Sequence, residues 1–247
     1  MDFLASLLGH AKLSFHAHPS PLSLPPKDPT ANPISLLSFC KKITPPCHLN
    51  PLLFNGHLQT FWTTVKSYDI PIHYKRHVFS ASDPAFAGTF AVDFVVPAYD
   101  NEVHNDDLPP RTSYYTDEEF EELGSEDDTK PMLVTLHGLS GGSHEIYLRH
   151  VLWPLVESGW DACVVNSRGC AKSRITTGVL YNARATWDVR QTVKWLREKW
   201  PRRPLFGLGF SLGANILVNV RTAATGDDRE LRNVFDEAGS DACLCCV

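Results

Sequence analysis

Apolar positions along this chain fall into two regimes. From residue 131 onward, short, mostly apolar stretches alternate with longer amphipathic ones. Met132 to Leu136 and Trp160 to Asn166 read as strands, the first buried, and the apolar run Leu205 to Phe210 reads as another buried strand. Between them, Glu145 to Ser158 predicts a helix with Gly159 as its stop. Ala185 to Trp200 predicts another, with Trp187, Val193, Trp195 and Leu196 on its buried side. After the last strand, Ser211 to Ala224 carries Leu212, Ile216, Val220 and Ala223 on one stripe, again helical. Strand and helix in strict alternation mean parallel strands joined by right-handed crossovers. Upstream, Ile70 to Phe79 and Thr89 to Val96 alternate as half-buried strands do. The pattern predicts an α/β domain with a mostly parallel sheet and flanking helices.

The other regime is the N-terminal fifth. In Met1 to Ala17, Phe3, Leu4, Leu7 and Leu8 fall on one face of a short helix. That face either docks on a membrane surface or on the domain, or belongs to a frayed terminus. The run is too short, and lacks the charged start, for a secretory signal. Residues 19–46 contain eight prolines, so residues 1–50 read as a Pro-rich, largely irregular segment. Order is expected from Pro51, where Asn55 to Trp62 looks like a turn followed by an apolar helical start, with His57 as a structural histidine. The domain then runs over 51–225. Residues 100–130 interrupt it with twelve Asp/Glu against two Lys/Arg, which predicts a solvated acidic insertion. Residues 226–247 form a Cys-rich tail without a strand pattern. Its Cys243, Cys245 and Cys246 are either a lipidation site or incidental, since no cysteine stands fourth from the end.

Charge refines this picture. The net charge of −5 conceals a local −10 in residues 100–130, leaving +5 for the remainder. No basic cluster is interleaved with aromatics, which argues against nucleic acid as a partner. Seven cysteines show neither a disulfide framework nor metal-site spacing, pointing to a reducing, cytoplasmic setting and to no metal. No 18-residue apolar run is present, so no ordinary membrane-spanning helix is expected.

Candidate chemistry sits where the last strand meets the last helix. Gly209-Phe210-Ser211-Leu212-Gly213 is a G-x-S-x-G sequence at a strand-to-helix turn. Such a turn strains the serine and lifts its hydroxyl clear, while Gly209 and Gly213 let neighbouring backbone pass. The Leu212 amide, at the helix start, is then free to donate to a developing oxyanion. A dinucleotide fingerprint on the same glycines needs a small residue at 212, which is leucine. Earlier, His137-Gly138-Leu139 follows a strand and precedes a helix, with Gly141-Gly142 close behind. A curled backbone there aims a second amide, that of Leu139, at the same oxyanion.

Four motifs in order carry a family resemblance. They are Asn55-Gly56-His57-Leu58-Gln59-Thr60, His137-Gly138-Leu139-Ser140-Gly141-Gly142-Ser143, Asn166-Ser167-Arg168-Gly169-Cys170 and Gly209 to Asn215. Together, over roughly residues 50–225, they resemble the AB hydrolase 4 family of α/β-hydrolases, which includes fungal medium-chain fatty acid ethyl ester synthase/esterases and acylglycerol lipases. The resemblance implies an α/β-hydrolase fold and acyl transfer from a fatty acyl ester or monoacylglycerol to water or an alcohol. It also implies Ser211 as nucleophile, and the chemistry needs no metal or organic cofactor; peripheral contact with an intracellular membrane or lipid droplet is left open by the sequence. The family completes its triad with an aspartate and a histidine after the serine. Here 36 residues follow Ser211 and none is histidine. The C-terminal strands, the triad acid and the triad base are therefore expected to be missing, and the chain inactive as it stands. His137 and His144 are the remaining candidates for a base. The alternative is a non-catalytic hydrolase-like binding protein or an unstable isoform.

Overall fold

The computed structural model describes residues 13–20, 22–26, 28, 30–48, 50–66, 69–99, 105–222 and 244–246. Two units emerge, Met1–Tyr68 and Asp69–Val247. The break thus falls some 18 residues after the expected start of the domain at Pro51, so the Asn55 turn belongs to the first unit. Phe3, Leu4, Leu7 and Leu8 lie outside the described residues, as do Ala223, Ala224 and residues 226–243.

In the first unit, strands β1 (Ser23–Leu24) and β2 (Ile34–Ser35) pair antiparallel. Helix α1 (Leu36–Ile43) follows at once, its N-terminus capped by Ser35, whose hydroxyl accepts from the Ser38 amide at 3.1 Å. Helix α2 (Gly56–Val65) is capped in the same way by Asn55 through the Leu58 amide at 2.9 Å. So the prolines of residues 19–46 bracket regular elements rather than prevent them. His57 stands exposed on α2.

The second unit holds β3 (His73–Ser80), β4 (Thr89–Val96), β5 (Thr112–Tyr114), α3 (Asp117–Glu121) and β6 (Met132–Leu136). After these come α4 (Ile146–Glu157), β7 (Asp161–Asn166), α5 (Trp187–Lys199), β8 (Leu205–Gly209), α6 (Leu212–Thr222) and β9 (Leu244–Cys246). Their order across the sheet is β5-β3-β4-β7-β6-β8-β9. The β3–β4 hairpin is antiparallel and joins β7 antiparallel, whereas β6, β7, β8 and β9 run parallel. Every residue of β6 is buried, Thr135 included, as befits a largely apolar strand covered on both sides. Val134 and Leu136 face α5 and α6, packing with Val193, Leu196 and Leu217. Leu133 faces the other way, toward Leu148 and Leu152 of α4. The sheet thereby lies between two helical layers.

Two expectations need correction. The acidic stretch is not merely a solvated insertion. Thr112–Tyr114 adds an edge strand parallel to β3, and Phe120 stacks on Trp195 with ring centroids 4.9 Å apart. Leu108 is buried, and Glu119 and Asp128 pair with Lys75 and Arg203. The excess negative charge is thus partly spent on the +5 of the remaining chain. The tail also departs from its expected lack of strands. Leu244–Cys246 lies parallel to β8, pairing Gly207 with Leu244 and Gly209 with Cys246. Leu208 is an apolar position in an ordinary strand, yet nothing in the tail has strand-like alternation; pairing is supplied by backbone, which every residue carries.

Candidate active site

Ser211 occupies the junction between β8 and α6 with φ of +51°, in the left-handed region that costs an L-residue about 1–2 kcal/mol. Backbone bonds on either side hold it there. The Phe210 amide donates to the Leu136 carbonyl at 3.0 Å, and the Gly213 amide to the Phe210 carbonyl at 2.8 Å. Both motif glycines are obligatory for steric reasons. A methyl group on Gly209 would stand 2.5 Å from the Ala214 nitrogen, and one on Gly213 2.6 Å from the carbonyl oxygens of Leu136 and His137. Close approach of three backbone segments is what raises Ser211 out of the sheet, where it is exposed. This is the elbow expected from the sequence.

Next to it lies the turn after β6. A methyl group on Gly138 would be 3.6 Å from Cβ of Ser211, so the two motifs, 73 positions apart, form one site. Ser140 also has positive φ, +57°, and Gly141 donates to the Gly138 carbonyl at 3.2 Å, which curls the chain. Two tyrosine hydroxyls take up neighbouring amides: Gly138 donates to Tyr147 Oη at 3.0 Å and Ser140 to Tyr181 Oη at 3.3 Å. The amide between them, that of Leu139, has no acceptor among the described residues, nor has that of Leu212. Two uncommitted N–H groups beside a raised serine have the arrangement that stabilising an oxyanion requires.

A buried polar network anchors this turn, and it was not found by sequence reasoning. Asp93, fully buried on β4, accepts from Arg76 Nε at 2.6 Å and Nη2 at 2.8 Å. It also accepts from Asn166 Nδ2 at 2.8 Å and from the Ser143 hydroxyl. Asn166 Oδ1 in turn receives the Ser143 amide at 3.0 Å, and Arg76 Nη1 donates to the Ala171 carbonyl at 2.9 Å. The signal available was Asp93 within Thr89-Phe90-Ala91-Val92-Asp93-Phe94-Val95-Val96, a charge in an otherwise apolar strand. Arg76 stands directly opposite it across the antiparallel pair. Arg168, from the third motif, is similarly committed. It clamps Asp188 through Nε and Nη2 at 2.9 and 2.7 Å, and its remaining N–H groups reach the carbonyls of Phe86, Ala87 and Val179.

The histidines do not complete the machinery. His137 is buried, with Nδ1 2.6 Å from the Gly138 carbonyl and Nε2 accepting the Ser167 amide at 3.0 Å. Both nitrogens are occupied, which fixes the neutral Nδ1–H tautomer, and burial holds its pKa below the usual imidazole value. It supports the turn instead of taking a proton from Ser211. His144 lies beside Glu145, with Nε2 3.9 Å from the carboxylate. Burial lowers its pKa too. Ser211 Oγ has no hydrogen-bond partner among the described residues. Among them there is also no cluster able to hold a metal ion, and no helix long and apolar enough to cross a membrane.

A cleft of about 670 Å³ opens onto the two donor residues. Leu139, Leu212, Ile175 and Leu180 supply apolar walls, and Tyr181 and Arg168 polar ones. A second cleft, near 630 Å³, is lined by Arg76, Phe90, Tyr114 and Lys172 and shares no residue with the elbow.

A largely parallel sheet bearing a strained serine at a strand–helix elbow, with a glycine turn beside it, is an α/β-hydrolase fold. Residues 131–220 match the alpha/beta hydrolase fold family. More particularly, the chain is similar to a monoacylglycerol lipase of Saccharomyces cerevisiae, at 39% identity over 185 residues. The match covers 68% of this chain and 40% of the relative. It is similar also to medium-chain fatty acid ethyl ester synthase/esterase 2 of the same yeast, 33% identical over 198 residues, covering 69% of this chain and 43% of the relative. The chain thus spans about two fifths of the length of these relatives.

Proposed function

We propose that this chain carries the nucleophile and oxyanion half of a serine ester hydrolase or acyltransferase for medium-chain fatty acyl esters or monoacylglycerols. The observation that carries this reading is the positive φ of Ser211 at +51°, held beside the free amides of Leu139 and Leu212. Strain of this kind persists only where surrounding structure enforces it, and here it serves to present a hydroxyl. In the reaction, Ser211 Oγ bonds to the ester carbonyl carbon and its proton passes to a base. The carbonyl oxygen becomes an oxyanion held by the two amides. Collapse expels the alcohol, which takes a proton, and the acyl-enzyme is then opened by water or by a second alcohol. The apolar side of the 670 Å³ cleft suits an acyl chain. The names of the yeast relatives support the substrate class. A cytoplasmic setting with peripheral contact to a membrane or lipid droplet belongs to the same reading, and no cofactor takes part in it.

His137 is committed at both nitrogens, His144 lies beside Glu145, and Ser211 Oγ has no hydrogen-bond partner among the described residues. That observation favours a second reading, a non-catalytic hydrolase-like binding protein. The test is hydrolysis of p-nitrophenyl butyrate and octanoate by the 247-residue chain and by Ser211→Ala. Without a base, turnover should lie on the order of 10⁴–10⁶ below that of an intact serine hydrolase, with the two forms alike. A chain extended to the length of the yeast relatives should be active and should lose that activity on Ser211→Ala. An extended chain that binds acyl esters yet never turns them over establishes the binding reading instead.

A further inference from the structure

The described residues of the first unit form no core. Among its described residues, 13 to 66, no side chain is buried, although the unit is rich in leucine and phenylalanine. The apolar residues are also not scattered. On α2, Leu58, Phe61, Trp62 and Val65 recur at i, i+3, i+4 and i+7, one stripe of a helix. Phe61 is 66% exposed and Val65 60%. On α1, Leu36, Leu37, Phe39, Cys40 and Ile43 fill one side of the helix, leaving Lys41 and Lys42 on its opposite flanks. Ile43 is 57% exposed, and Phe54, just before α2, 79%. Uncovered apolar area on this scale marks an interaction surface.

Charge identifies the partner. Residues 29–68 contain Lys41, Lys42 and Lys66 and no aspartate or glutamate, in a chain that has 28 acidic residues. At the end of α2 the Lys66 ammonium lies 5.7 Å from the Trp62 ring centre. An indole with a lysine beside it suits the boundary between acyl chains and headgroups, where aromatic rings and long basic side chains are each at home. With 8 and 10 residues, the two helices are far short of the roughly 20 needed to span a bilayer. They are built to lie in its surface.

We propose that α1 and α2 form a lipid-surface docking element, inserting Ile43, Phe61, Trp62 and Val65 among acyl chains and setting Lys41, Lys42 and Lys66 against anionic headgroups. This deepens the membrane contact proposed above and is independent of Ser211 chemistry. The experiment is co-flotation of the full chain with phosphatidylcholine vesicles, with and without phosphatidylserine, at low and physiological salt. The chain should float with both, more with the anionic vesicles, and salt should remove that excess. Lys41→Gln with Lys42→Gln should lower partitioning onto phosphatidylserine vesicles about fivefold per charge and leave phosphatidylcholine vesicles unaffected. Phe61→Asp with Trp62→Asp should abolish flotation on both. These side chains are exposed, so the thermal transition of residues 69–247 should not move, which separates lost docking from lost folding. Ser211→Ala should float like the parent chain, so a failed hydrolysis assay leaves this result standing. Flotation that survives Phe61→Asp with Trp62→Asp, or is absent in the parent, overturns the proposal. If the same pair dissolves a dimer of the parent chain that never floats, the surface is an interface between copies.

Discussion

Removing the Asp93 carboxylate should cost the domain more than any other single polar truncation. Asp93 is fully buried and accepts from four donors, two of them on Arg76, which is itself only 1% exposed. In Asp93→Ala the guanidinium stays buried with its charge uncompensated, a situation that costs about 3–5 kcal/mol. At about 2–4 °C per kcal/mol for a domain of 150–250 residues, the melting temperature should fall by roughly 6–20 °C. Arg76→Met together with Asp93→Leu removes both charges. It leaves the donors on Ser143 and Asn166 without an acceptor, as Asp93→Ala also does, and takes the donor from the Ala171 carbonyl, each at about 1–3 kcal/mol. The double variant should therefore be more stable than Asp93→Ala alone. Thermal and urea melts of the parent chain, Arg76→Met, Asp93→Leu and the double variant, followed by circular dichroism, complete a double-mutant cycle. A drop below about 3 °C for Asp93→Ala, or a double variant equal to the sum of the singles, would refute the claim that the pair is coupled and buried.

Backbone strain at Ser211 can be measured by comparing two variants that both delete the hydroxyl. Ser211→Gly should be more stable than Ser211→Ala by about 1 kcal/mol, because only glycine accepts a φ of +51° without penalty; equal urea midpoints would count against stored strain. Acid should destabilise the fold in a window set by its histidines. Burial lowers the pKa of His73, His77, His137 and His144, so the unfolded chain binds the extra protons. Stability should be flat above the ordinary value of 6.5 and fall as pH drops below it, by no more than about 1.4 kcal/mol per pH unit per group. His137→Gln should flatten that acid limb in equilibrium melts, and an unchanged slope would remove His137 from the account.

The strands β4 and β6 and the elbow were legible because their signals are local. A short, largely apolar stretch such as Met132 to Leu136, directly before the glycine turn His137-Gly138, reads as a strand buried on both faces, and Gly-x-Ser-x-Gly states its own steric requirement. What supports the site was not legible in that way. Tyr147 and Tyr181 matter through their hydroxyls, which meet amides 9 and 41 positions away, and no spacing rule announces such a contact. Asp93 stands out as a charge in a mostly apolar strand, but only the hairpin register shows that Arg76 is its partner. The acidic stretch misled because its composition is that of a solvated loop. Three aromatics, Tyr114, Tyr115 and Phe120, are embedded in it, and the last two pack against the core. Pairing of Leu244–Cys246 with β8 is made by backbone, on which side-chain patterning is silent.

The tether from Asp93 to the turn has a consequence for how far this site is portable. The segment 131–220 that matches the fold family holds Ser211 and the uncommitted amides of Leu139 and Leu212, yet it excludes the two residues that moor Ser143, Asn166 and Ala171. A graft of 131–220 into another scaffold would transplant the reactive parts without their ballast. A recombination point placed between β4 and β6 would instead require the incoming hairpin to bring its own acid–base pair at the register of Arg76 and Asp93. In chimaeras of this fold, the permissible crossover is therefore upstream of residue 76, and the heritable unit of the site begins at the hairpin.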